Sequence, residues 1–168
     1  GDLASYPVSD EEGYKWLEHY MTQLITAARG RIKYVEVWNE YSSKEMSVPY
    51  NENAEVNAAL HRAVYSGVKA ADENVKVVGM AADDWGVYKN GDFNKLNEGF
   101  VGKVLKLLNG EKCFDYVSIH PYPNPRTSCF EGNEKSDRFT GDLRSVLEKY
   151  GYDYNTPVIF SELGWCDD

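Results

Sequence analysis

A chain of 168 residues is long enough for one domain with a sizeable hydrophobic core, and 42% hydrophobic with 14% aromatic residues excludes a disordered one. The formal net charge of −9 comes from scattered acidic residues and argues against nucleic acid as a partner, because phosphates are met by basic patches. No apolar run nears the ~20 residues of a membrane-spanning helix, so no membrane partner is expected, and the N-terminus lacks the basic-then-apolar layout of a signal peptide.

In chain order, residues 9–29 have helical spacing, with Ser9 and Glu12 as a capping box and Gly30 as the stop. Tyr14, Leu17, Met21, Leu24, Ile25 and Ala28 share one face. A strand is expected at about 32–39. Asn53 opens a second helix, whose stripe is Val56, Leu60, Ala63, Val64, Gly67, Val68 and Ala71. The turn formers Asp72-Glu73-Asn74 lead into the β-branched run Val75–Met80.

Leu96, Phe100, Val101, Val104, Leu105 and Leu108 mark a third helix, stopped at Asn109-Gly110 and followed by a strand at Tyr116–Ile119. Phe139, Leu143, Val146, Leu147 and Tyr150 mark a fourth, ending at Gly151. Pro157 then introduces the strand Val158-Ile159-Phe160. Four helix–strand pairs with short apolar strands predict a parallel sheet with helices packed on it. No Pro-, Gly- or Ser-rich linker interrupts the series, so residues 1–168 form a single α/β unit.

Each strand runs into a polar cluster: Trp38-Asn39-Glu40, Asp83-Asp84-Trp85, His120-Pro121-Tyr122 and Ser161-Glu162-Leu163-Gly164-Trp165. In a parallel sheet all four lie on the C-terminal edge, where α/β folds place their ligand sites. Two carboxylates among tryptophans and tyrosines suit carbohydrate, whose C–H faces pack on aromatics and whose hydroxyls need Asn, Asp and His. Cleaving a glycosidic bond takes one carboxylic acid to protonate the leaving oxygen and one carboxylate to attack the anomeric carbon or activate water.

These motifs, in this order and at these strand intervals, resemble those of the clan A glycoside hydrolases, retaining enzymes on a (β/α)8 barrel. The resemblance implies an α/β fold, a partial (half) TIM barrel whose four strands correspond to the fourth to seventh of that barrel. It implies Glu40 as general acid/base and Glu162 as nucleophile. Asn39 would bond the substrate 2-hydroxyl, Tyr122 would orient Glu162, and His120 would contact Glu40 or the sugar. Trp38, Asp83, Trp85 and Trp165 complete the expected carbohydrate-binding set. No cofactor and no metal are implied, and a secreted or periplasmic setting is favoured.

A (β/α)8 barrel takes about 250 residues, so the half with the other strands is missing from these 168. The open sheet edges are expected to draw in another copy or a complementing chain, with little or no hydrolysis by the chain alone. Two other readings stand beside the glycosidase: a non-catalytic carbohydrate-binding or assembly module, and a metal-dependent barrel enzyme with Mg²⁺ on the strand-end acids. Trp16 reads as packing or surface, and His19 and His61 as helix residues rather than ligands. Glu36 has the parity of Glu40 and is expected to point into the barrel interior, where a buried carboxylate needs a partner. Cys113, Cys129 and Cys166 are too widely spaced for a zinc knuckle, and their odd number leaves at least one thiol unpaired within the chain.

Overall fold

Helix α1, Glu11–Ala28, starts one residue later than the capping box implies, because the Asp10 carboxylate accepts the Gly13 amide and so acts as the cap. Glu11 and Glu12 add negative charge at the positive end of the helix dipole. The computed structural model describes residues 10–40, 53–82, 97–120 and 133–162, and Ser9 lies outside them. Arg29, in the left-handed region at φ 50°, ends the helix ahead of Gly30.

The remaining elements are β1 (Tyr34–Glu36), α2 (Ala54–Ala71), β2 (Lys76–Ala82), α3 (Phe100–Leu108), β3 (Tyr116–Ile119), α4 (Asn133–Lys149) and β4 (Val158–Phe160). The cap of α2 is the expected Asn53, whose side chain accepts the Val56 amide. The turn after it is an Asx turn, with the Asn74 amide bonded to Oδ1 of Asp72. Strand β1 is shorter than the sequence suggests. Trp38 and Glu40 adopt left-handed backbone (φ 64° and 44°), which breaks the strand, although the Val37 amide still reaches the Val78 carbonyl.

All pairings are parallel, in the order β1-β2-β3-β4. Register sorts the side chains onto two faces. Val35 beside Val77, Val117 beside Val158 and Ile119 beside Phe160 form the helix-facing set. Glu36, Val78 and Tyr116 form one row of the other face. The core lies on the helix side, where Ile25, Leu60, Val64, Val68, Val104, Leu105, Leu143 and Leu147 meet Val77 and Val117.

Two local features fix how the helices sit. A Cβ on Gly67 would stand 2.3 Å from the Glu18 carbonyl oxygen and 2.9 Å from Cβ of Met21, so only glycine lets α2 press against α1 here. Lys69 reaches from α2 to Oδ2 of Asp115 at 2.7 Å, and the same oxygen accepts the Val77 amide.

The flanks of the sheet are open among the described residues. Tyr34 on β1 is 59% exposed, Phe160 on β4 is exposed, and Trp16, Tyr20 and Leu24 line an exposed flank of α1. Leu24 therefore departs from the core stripe expected for it; Trp16 and Tyr20 stack at 5.3 Å on that flank. Glu36 lies on the strand face away from the helices, but it is exposed rather than buried, since nothing among the described residues covers that end of the face.

Candidate active site

Glu40 and Glu162 follow β1 and β4, the two outermost strands of the sheet. With strands spaced ~4.8 Å apart, a flat four-stranded sheet would hold those ends about 14 Å from each other. Instead one carboxylate oxygen of each, together with a ring nitrogen of His120, lies in a group whose atoms are all within 4.8 Å of one another. The turned backbone that follows β1 and the inward reach of the two side chains close that gap.

His120, at the end of β3, stands between the two acids. Its Nδ1 is 3.1 Å from Oε1 of Glu40 and 3.8 Å from Oε2 of Glu162, and its Nε2 is 3.0 Å from Oγ of Ser161. With the Glu40 oxygen accepting from Nδ1–H, Nε2 is left to accept the Ser161 hydroxyl. The imidazole is fully enclosed, while the Glu40 side chain is 15% exposed and that of Glu162 40% exposed. The two carboxylates therefore differ in their access to water.

Backbone geometry next to Glu40 is unusual. Among the described residues six non-glycines have positive φ, and two of these, Arg29 and Asn109, are helix C-caps. The other four are Trp38 and Glu40 after β1 and Met80 and Ala81 in β2. Such conformations cost roughly 1–2 kcal/mol per residue and gather at functional sites. In β2 they coincide with a shift of register between Gly79 and Ala82. The resulting corner presents the Ala81 carbonyl to the Glu40 amide at 2.8 Å.

Of the residues singled out in the sequence, Trp38, Asn39, Glu40, His120 and Glu162 lie in the described part, and Trp38 and Asn39 are half-buried beside Glu40. Asp83, Trp85, Tyr122 and Trp165 lie outside the described residues. The motifs gave no role to Ser161, Ser118 or His61. Ser118 is a polar residue inside an apolar strand and His61 a polar residue on an apolar helix stripe, which is the signal that sets both apart. Glu40, His120 and Glu162 are also the described residues that could hold a metal ion, each offering one donor atom.

Four parallel strands, helices on one face and acids at the C-terminal strand ends define a partial α/β barrel. No protein-family model and no curated protein matches the sequence. Among solved structures, the GH39 enzyme from Xanthomonas axonopodis pv. citri is similar, with a TM-score of 0.62 at 15% sequence identity, over 94% of this chain and 31% of that one. The chain thus spans about a third of the length of that enzyme, and the likeness is one of fold.

Proposed function

We propose that this chain carries the catalytic pair of a retaining glycoside hydrolase, with Glu162 as nucleophile and Glu40 as general acid/base. The observation that carries the reading is the approach of the two carboxylates, with donor atoms within 4.8 Å, from opposite flanks of a four-stranded sheet. That figure is the approach of one oxygen from each acid. Retaining enzymes hold their carboxyl groups roughly 5–5.5 Å apart and inverting ones about 6.5–9.5 Å, and oxygens this close support the retaining geometry. The fold likeness to a GH39 enzyme supports the same class.

In the proposed reaction an oxygen of Glu162 attacks the anomeric carbon, and the glycosidic bond breaks with its electron pair leaving on the departing oxygen. Glu40 gives that oxygen its proton. Water then enters, loses a proton to Glu40 and attacks the anomeric carbon, which frees Glu162. His120 holds Glu40 in place, and Asn39, beside Glu40, bonds the 2-hydroxyl. Carbohydrate is the partner, and the open sheet edges pair with the further β/α units that a closed barrel needs. Turnover belongs to that completed barrel.

The test is trapping with a 2-deoxy-2-fluoro glycoside bearing an activated leaving group, followed by peptide mass spectrometry of the completed enzyme. The glycosyl adduct is expected on Glu162 and should vanish in Glu162→Gln. An adduct on another residue would overturn the assignment. The same three donor atoms suit a divalent cation as well, which keeps a metal-dependent reaction as the second reading. Turnover unchanged by a chelator supports the glycosidase, and turnover abolished by it and restored by added Mg²⁺ supports the metal enzyme.

A further inference from the structure

His61 lies on α2, where it is fully buried and both ring nitrogens are engaged. Its Nδ1 is 2.7 Å from the Asn57 carbonyl oxygen. A carbonyl only accepts, so Nδ1 carries the proton and Nε2 keeps its lone pair. That lone pair accepts the Met80 amide at 3.0 Å. Met80 and Ala81 are the two left-handed residues of the β2 corner, with φ of 78° and 38°. Ser118 secures the corner from the other strand: its hydroxyl donates to the Gly79 carbonyl at 3.1 Å and accepts the Ala81 amide at 3.0 Å. Ala81 in turn accepts the Glu40 amide.

We propose that His61 is a positioning residue for Glu40, acting through the Met80–Ala81 corner. The paired residues of β1 and β2 end at Glu36 and Val78, and beyond them the Met80 amide turns to His61; left unpaired, a buried amide beside two strained residues would let the corner relax. His61 supplies the acceptor from a rigid helix. The corner then holds the Ala81 carbonyl where it fixes the backbone of Glu40, and His120 fixes the same residue from its side chain. Glu40 is gripped at both ends. This deepens the proposed function, although only its kinetic consequence rests on that reading.

The pair of amide variants separates the two ring nitrogens. Asparagine places its terminal atoms near the Nδ1 position and loses the acceptor for Met80, whereas glutamine carries an oxygen out to the Nε2 position. By hydrogen exchange on the full chain, His61→Asn is expected to speed exchange of the Met80, Ala81 and Glu40 amides together by about tenfold or more, while Val77 and Val117 stay unchanged. His61→Gln is expected to restore protection. Ser118→Ala frees the same corner from the opposite strand and should speed Ala81 and Glu40; where His61→Asn does not fold, an unchanged Glu40 amide in Ser118→Ala overturns the coupling through the corner.

Acceleration at Met80 with none at Glu40 would overturn the proposal, and so would a uniform change over the whole chain. The kinetic arm uses the completed barrel. His61→Asn should slow alkyl glycosides, which need a proton from Glu40, far more than dinitrophenyl glycosides, which do not. Equal losses would overturn it. A wild-type barrel that turns over neither substrate sinks the glycosidase reading, and the exchange pattern still decides the role of His61.

Discussion

His120 holds Glu40 by a contact of 3.1 Å between Nδ1 and Oε1, from an imidazole with no exposed surface. Such a ring cannot swing away, because its other nitrogen bonds Ser161. A carboxyl group tethered this way is fixed in direction as well as in place. Misplacing a reacting group by about 1 Å can cost about 100-fold in rate. In the barrel enzyme proposed above, His120→Ala is therefore expected to lower kcat by about 100-fold with little change in KM. Ser161→Ala, which removes one neutral hydrogen bond, should cost only about fivefold. Steady-state kinetics on an alkyl glycoside decides it, and a His120→Ala variant of wild-type rate would sink the tether.

A buried imidazole and a partly buried carboxylate shape the dependence of stability on pH. Burial drives the His61 imidazole down from its ordinary 6.5 to about 4, against an opposing pull from the Asn57 carbonyl. The unfolded chain therefore binds the proton first as pH falls. Stability from this group is complete above pH 6.5 and is lost between there and about pH 4, amounting to about 3 kcal/mol in all. Asp115 acts lower on the scale. Burial pushes its carboxyl up, but the Lys69 ammonium and the Val77 amide together take it below the ordinary 3.8. Its contribution is present above that value and disappears only on further acidification. Urea midpoints measured from pH 7 to pH 4 should fall steadily in the wild type and much less in His61→Gln. Equal slopes would exclude His61 as the source.

Much of this was legible in the sequence because apolar periodicity reports burial directly. Strands β3 and β4 fall where the β-branched runs put them, and Asn53 caps α2 as its side chain suggests. What escaped depends on contacts distant in sequence. Leu24 fits the stripe of α1, yet it is exposed because nothing among the described residues packs on that flank. The short β1 follows from left-handed turns at Trp38 and Glu40, conformations no local pattern of non-glycine residues announces. The strand-end acids stood out as a group, whereas the bond from His61 to Met80 joins residues 19 apart and needed coordinates to be seen.

Gly67 offers a test of helix packing with little chemistry in it. Replacing glycine by alanine in an unconstrained helix gains up to about 1 kcal/mol of propensity. Here the new methyl would meet backbone, the Glu18 carbonyl oxygen at 2.3 Å, which cannot rotate aside. Helices α1 and α2 must separate, and overpacking of this kind costs about 1–3 kcal/mol. Gly67→Ala is expected to lower the urea midpoint, and Gly67→Val to lower it further. A stabilised Gly67→Ala would show that the approach of α1 to α2 is looser than the structure has it.

The Lys69–Asp115 pair joins α2 to the start of β3, with side chains only 18% and 13% exposed. Lys69 also bonds the Val75 carbonyl, and Asp115 the Val77 amide, so each charge has partners besides the other. Removing one charge leaves its opposite half-buried, which costs more than the pair itself contributes. Lys69→Met is expected to lose about 2–3 kcal/mol. Asp115→Asn keeps an oxygen for the Val77 amide but strands the lysine, and should lose a similar amount. The double variant should be clearly less destabilised than the sum of the two, because neither charge then remains unpaired. Strict additivity in urea unfolding would mean that the two side chains act separately on β2 and that the 2.7 Å contact contributes nothing of its own.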